Sequence, residues 1–218
     1  MLSKIKDSKI KEFCKKLNKG EVSNIDFLNE IRILELEFFW HPLGFILGTY
    51  LSNDNEKIRV HIWPNKDSKP QIPYWNIHNH IFDLTSWVLE GEITNKEYSI
   101  SNEKDSDQCV YKVNYNGIES SLNKTEQNIV LKEVKCTVNP KGSVYSIDAA
   151  IFHQSIRTSQ ESAITIVLSI DKECTNPLVI GDIYSEEEYR YYRKKVNLEY
   201  FEKLMNELTE NITNPRTK

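Results

Sequence analysis

The stretch Trp75-Asn76-Ile77-His78-Asn79-His80-Ile81-Phe82-Asp83-Leu84 sets two histidines one residue apart within a run of apolar and aromatic side chains. Alternate side chains share one face of an extended strand, and at a rise of ~3.3 Å per residue two such residues start roughly 6.6 Å apart at their backbones. Two imidazoles leaning together from that spacing can chelate one metal ion. His153, in Ala149-Ala150-Ile151-Phe152-His153-Gln154-Ser155, offers a third ligand from a distant segment, as happens where strands face each other across a barrel. The expectation is a strand-rich fold with a metal centre at His78, His80 and His153.

The composition sets outer bounds on that reading. A chain of 218 residues with 39% hydrophobic and 11% aromatic side chains can bury one sizeable core, and wholesale disorder is excluded. The net charge of −4, with no basic stripe carrying interleaved aromatics, argues against nucleic acid as a partner. No apolar run reaches the length of a membrane span, and Met1-Leu2-Ser3-Lys4-Ile5-Lys6-Asp7 lacks the apolar core of a signal peptide, so the expected setting is cytoplasmic. Cys14, Cys109, Cys136 and Cys174 are scattered and are expected as reduced thiols.

Three zones separate by periodicity. Residues 1–40 read as helical: Ile5, Ile10, Phe13 and Leu17 recur at helical spacing, Gly20 stops that segment, and Ser23 caps a second helix carrying Ile25, Phe27, Leu28, Ile31 and Leu34. Residues 41–184 carry short β-branched and aromatic runs near 45–51, 58–63, 77–82, 84–90, 97–100, 109–115, 128–138, 144–147 and 163–170, separated by polar turns. Repeated strands without intervening helices indicate a mainly β barrel or sandwich. Residues 185–218 read as a C-terminal helix capped by Ser185 with Glu188 in the first turn, and an apolar stripe through Tyr189, Tyr192, Val196, Tyr200, Leu204 and Leu208. Residues 211–218 are expected to fray.

On this strand-rich middle the histidine pattern resembles the cupin superfamily, over residues 41 to 171. Of the first cupin motif, His78, His80 and Gly91 occupy their places, while Leu84 stands where the acidic ligand is expected. Of the second, Gly142 and His153 fit, whereas Asp148, Ala150 and Arg157 replace the proline, the second glycine and the asparagine. Gly91 and Gly142 suit tight turns, where a positive φ is needed. The resemblance implies a single small β-barrel, a jelly roll with metal inside, flanked by N-terminal helices and a C-terminal helix.

With Leu84 in the acid position the centre becomes three neutral imidazoles. Such a site leaves open positions that suit Fe(II) with a substrate and dioxygen, whereas Zn, Mn or Ni in the same triad would act as a Lewis acid. The tri-histidine set is similar to that of the thiol dioxygenases, although Thr85 and Ser86 follow where those enzymes often carry a cysteine. A non-catalytic ligand-binding cupin is the third reading. Asp83, three residues beyond His80, points to the opposite strand face and is expected to support the ligands from behind, coordinating only if the strand bulges.

Arg59, His61 and Trp63 share one face of their strand, with Ile58, Val60 and Ile62 on the other. That polar face is either exposed or turned into the barrel. If turned in, Arg59 clamps a substrate carboxylate, His61 serves as acid or base, and Trp63 contacts the substrate. Tyr145 and Ser155 are expected to face the metal, with Tyr145 a candidate catalytic group. Arg157 is a second anion-binding candidate or an exposed loop residue. Trp87 and Phe82 are expected to fill core space, and His41, before Pro42, to be structural. The partner implied is a small polar substrate, with edge strands and the tyrosine-rich terminal helix available for a homodimer.

Overall fold

A computed structural model describes residues 2–102, 106–172 and 176–214, with side chains from residue 6 onward. Cys174, the end at 215–218 and the side chain of Ile5 lie outside these residues. The order is α1 (Leu2–Asn18), α2 (Asn24–Ile33), β1 (Phe38–Trp40), β2 (Leu43–Gly44), β3 (Ile46–Ser52), β4 (Glu56–Trp63), β5 (Lys69–Pro70), β6 (Phe82–Glu90) and β7 (Glu92–Asn102). There follow β8 (Gln108–Asn116), β9 (Glu119–Pro140), β10 (Val144–Ile147), β11 (Phe152–Arg157), β12 (Ala163–Asp171), β13 (Leu178–Asp182), β14 (Glu188–Tyr192), β15 (Lys194–Lys195) and α3 (Leu198–Thr213). The fold is mainly β with helices at both ends, as the sequence pattern predicts.

One sheet runs β10-β6-β12-β4-β3-β1-β15 and a second β11-β7-β9-β8-β13. His78 bridges both edges of the second sheet, pairing with His153 on β11 and with Val179 near the start of β13. Strand β9 is long enough to pair with β7 along one half and with β8 along the other.

The helices cover the outer face of the first sheet. Ile58, Val60 and Ile62 of β4 and Ile164 and Ile166 of β12 are fully buried there against Ile10, Phe27, Leu28, Ile31, Leu204, Met205 and Leu208 of the three helices. Because strand side chains alternate, covering this face from outside turns the other face inward. That settles the orientation of Arg59, His61 and Trp63: all three line a cavity between the sheets. Ser23 caps α2 by accepting from the Asp26 backbone N–H, at 3.3 Å, and Gly20 (φ +66) follows α1, both as expected. Cys14, Cys109 and Cys136 are free thiols. Among the described residues no helix is long and apolar enough to cross a membrane.

The chain after 184 departs from expectation. Ser185 starts no helix; its backbone N–H closes a turn onto Asp182. Residues Glu188–Tyr192 form a strand on β9, and Lys194–Lys195 a bridge onto β1. The helix begins only at Leu198, capped by Asn197, which accepts from Tyr200 N–H at 3.1 Å. Tyr189 and Tyr191 decide this: at period two both enter the cluster with Trp75 and Tyr111, and the Tyr191 hydroxyl donates to Pro73 O at 2.7 Å. Tertiary burial of two aromatics, themselves good strand formers, outweighs a local cap signal. The expected boundaries at 41 and 185 fall after β1 and before β14, and β1, β14 and β15 outside them pair with the sheets. The helix runs to Thr213, so fraying at 211 is not seen. Besides β14 and β15, five strands went unpredicted, β1, β2, β5, β11 and β13, with β1 falling in the stretch expected to be helical, while of the expected run 77–82 only the His78 bridges and the start of β6 are strand-paired.

Candidate metal centre

His78 and His153 are directly opposed across an antiparallel bridge, exchanging backbone hydrogen bonds of 3.0 and 2.9 Å. This brings two residues 75 positions apart into register, and His80 projects from the same side as His78. The three rings stand with centroids 4.8 Å apart in every pair, and one ligand atom from each lies within 4.8 Å of the others.

The rings are held in a ligating tautomer. His78 Nδ1 lies 2.9 Å from Asn76 O and His153 Nδ1 lies 3.0 Å from Ile151 O. A carbonyl only accepts, so each Nδ1 carries the proton and each Nε2 presents its lone pair, the usual support for a metal-bound imidazole. The Nε2 atoms of His78 and His80 are 3.1 Å apart. Two nitrogen ligands at 2.0–2.1 Å from one ion stand about 2.8–3.4 Å apart, so this pair has the spacing of two ligands on one metal, with the His153 donor within 4.8 Å of both. His80 is stacked on Phe82 (4.4 Å, 13°).

The five histidines of the chain all line this one cavity of about 300 Å³. Burial pushes every one below the ordinary imidazole value: His61 and His153 to about 3, His41 and His80 well down, and His78 downward against the opposing pull of its bond to Asn76. All five are therefore neutral at pH 7, and the three ligands need shed no proton to bind a metal.

Leu84 is buried and faces the triad's cavity, so no carboxylate stands in the acid position. Asp83 points outward, as alternation predicts. Its carboxylate accepts from Ala149 N–H at 2.8 Å and pairs with Lys172 at 2.7 Å, and these contacts hold it below the usual carboxylate range. It thus pins the turn that leads into β11. Ala150 in that turn donates its N–H to His80 O at 3.0 Å and has φ +66. The backbone there keeps the left-handed conformation of a glycine although the side chain is alanine. Gly91 (φ +75) and Gly142 (φ +84) make the turns their spacing predicts. At Gly91 a Cβ would stand 2.8 Å from the Ala163 backbone.

Arg59 lies 5.0 Å over the Phe82 ring and donates to Ser169 Oγ at 2.5 Å. Trp63 stacks on Phe45 at 4.4 Å, and its indole N–H is buried with no partner among the described residues. Burial raises the phenol pKa of Tyr145 against the pull of nearby Ser86, Asn95 and Ser155. Ser155 lines the same cavity and donates to Asn95 Oδ1 at 2.6 Å.

Arg157 and His41 are placed otherwise than expected, and Phe82 has a second role. Arg157 does not line the cavity: its guanidinium donates to the backbone carbonyls of Ser159, Glu161 and Asn65 and braces the loop after β11. Phe82 packs against buried Leu84, Ile147 and Val167 as core filler and, beyond that expectation, also walls the cavity. His41 lines the cavity too, stacked on Phe45 at 4.3 Å, while its Nδ1 accepts from Leu43 N–H at 3.2 Å. Trp87 is core, as expected, with its indole N–H on Asn18 Oδ1 at 2.9 Å. Sequence reasoning missed Lys57, Tyr115, Asp171 and Arg193, all of which reach the cavity. Alternation with Arg59 could have found Lys57; nothing local signals Arg193.

No protein-family model matches the chain, and no curated protein matches it. Solved structures do resemble it. Cupin proteins are among them. A cupin superfamily protein from Desulfitobacterium hafniense shares 8% identity over 59% of this chain and 78% of its own, with a TM-score of 0.32. The cupin domain of Schizosaccharomyces pombe Cnp3 shares 8% over 58% and 61%, at 0.31. Hydroquinone 1,2-dioxygenase from Sphingomonas sp. TTNP3, with 4-hydroxybenzoate bound, shares 10% over 56% and 62%, at 0.32. Cupin likenesses at this level assign neither ligand nor activity to this chain.

Proposed function

We propose that this chain is a metal-dependent enzyme of cupin type, a non-haem Fe(II) oxygenase acting on a small carboxylate-bearing substrate. The observation that carries the reading is the triad: three imidazoles on one cavity wall, His153 buried and His78 and His80 half-buried, two with their Nδ1 protons fixed by backbone carbonyls, and no carboxylate at Leu84. His78, His80 and His153 would hold the metal. When bound, Fe(II) supplies dioxygen activation beside a chelated substrate.

The remaining wall has defined tasks. Arg59 takes the substrate carboxylate in a bidentate pair, a role its burial strengthens. Neutral His61 and the Tyr145 phenol are the acid–base groups, and the Trp63 indole N–H donates to a substrate acceptor. Phe45 and Phe82 exclude water from these contacts. Asp83 supports the triad only through the turn before β11.

Zn(II), Mn(II) or Ni(II) in a non-redox enzyme is the second reading. It is favoured by the same absence of a carboxylate, since three histidines with an open fourth position are a catalytic zinc set. The test is turnover of a panel of small amino and carboxylic acids by protein reconstituted with Fe(II) or Zn(II), with and without oxygen. Fe(II)-dependent oxygen consumption matched to substrate loss is expected. Equal turnover under anaerobic conditions contradicts the oxygenase reading.

A further inference from the structure

Arg193 is the single residue between β14, which pairs with β9 of the second sheet, and β15, which pairs with β1 of the first. It is where the chain crosses from one sheet to the other, at the rim of the space between them. Its backbone is fixed there: its N–H donates to Ile118 O at 2.9 Å, while Tyr192 exchanges two hydrogen bonds with the Gln71 side chain, of 2.5 and 2.9 Å. The guanidinium lies 5.6 Å over the Tyr115 ring and lines the cavity with Arg59. Among the described residues neither arginine has a carboxylate within 4 Å. Among the described residues Asp171 alone brings a carboxylate to the cavity wall, and Lys57 engages it at 3.6 Å.

We propose that Arg59 and Arg193 together select a small dianion, Arg59 from the floor of the cavity beside Phe82 and Arg193 from its rim. This deepens, and rests on, the reading of the histidine cavity as a substrate site. Three cations, Lys57, Arg59 and Arg193, face one carboxylate, and the histidines are neutral. The side chains alone thus carry a surplus of two positive charges, and a divalent ion on the histidines would add two more; a ligand with two negative charges offsets the side-chain surplus, whereas a monoanion leaves a cation unmatched in a partly desolvated space. Burial lowers the pKa of Arg59, the Asp171 carboxylate pulls it back up, and the positive charge of Arg193 acts in the same direction as burial. Two like charges held toward one void by a fixed crossover are stabilised when an anion sits between them. A cavity of about 300 Å³ lies at the small end of ligand pockets, which suits a short dicarboxylate.

The test is calorimetric titration of the metal-loaded protein with succinate and with butanoate, its singly charged counterpart of equal length. Succinate is expected to bind at least about tenfold more tightly, and Arg193→Gln to remove that preference while leaving butanoate affinity within about threefold. Arg193→Lys restores part of the preference, and Arg157→Gln, outside the cavity, leaves it intact. Equal affinities in the unaltered protein, binding of neither anion, or an unchanged preference in Arg193→Gln overturns the proposal. Metal content and thermal midpoint measured on the same samples keep the outcomes apart: loss of metal in the unaltered protein counts against the histidine site, loss of anion selectivity alone against Arg193.

Discussion

Strand β4 presents two contrasting environments within eight residues. Its outer face, Ile58, Val60 and Ile62, is sealed under three helices, while its inner face, Lys57, Arg59, His61 and Trp63, borders a cavity that gathers every histidine of the chain. In a small closed barrel the interior is ordinarily filled with side chains that stabilise it. Here the apolar cluster that takes in all three helices lies outside the first sheet, and between the sheets a smaller apolar cluster around Leu84 and Val167 shares the cavity wall with imidazoles and guanidiniums. The same backbone thus serves folding on one side and chemistry on the other, and the two can be perturbed separately.

The sharpest way to separate them is Ile62→Ala. Deleting a fully buried isoleucine costs about 2–5 kcal/mol, so the thermal or denaturant midpoint should fall strongly, while metal bound per folded molecule stays unchanged. A loss of metal in the folded fraction would show that the faces are coupled.

Acid should act from the opposite side. Burial lowers every cavity histidine below the ordinary imidazole value, His61 and His153 to about 3, whereas unfolded imidazole titrates at about 6.5. Between those values the unfolded chain binds more protons, so stability is full above pH 6.5 and declines as pH falls toward 3. Each such histidine adds up to about 1.4 kcal/mol per pH unit in that window. Denaturant midpoints of the metal-free protein across that range should show the slope, and His61→Asn should flatten it. A pH-independent midpoint would mean that the histidines are solvated.

Much of this was legible in local spacing, and what was not has identifiable causes. The His78, His80, Gly91 and Gly142 positions are short-range signals, and the structure places the two glycines at positive φ where that spacing needs them. His153 was legible as a ligand candidate but not as part of a strand, because β11 is recognisable only through its pairing with β7 and the His78 bridge. The inward turn of Arg59 depended on where the helices pack, which no single strand pattern states. Arg193 was hidden by the helix-like run from Ser185: its place in the site follows from Tyr189 and Tyr191 burying against Trp75 and Tyr111, a contact between segments far apart in sequence.

Smaller effects sharpen the contrast further. Ala150→Gly relieves a left-handed alanine in the turn tied to His80 and should stabilise the protein by about 1 kcal/mol, read as a rise in denaturant midpoint. A loss of stability would mean that the alanine methyl packs favourably enough to offset the strain. Arg157→Gln should leave metal content and anion affinity unchanged, because its guanidinium serves only backbone carbonyls outside the cavity.

The most direct test is elemental analysis of protein purified without added chelator, beside His78→Ala and His153→Ala. One equivalent of a transition metal in the unaltered chain, falling to a small fraction in both variants with their folds intact, is the predicted result. Metal content unchanged in both would contradict the tri-histidine centre.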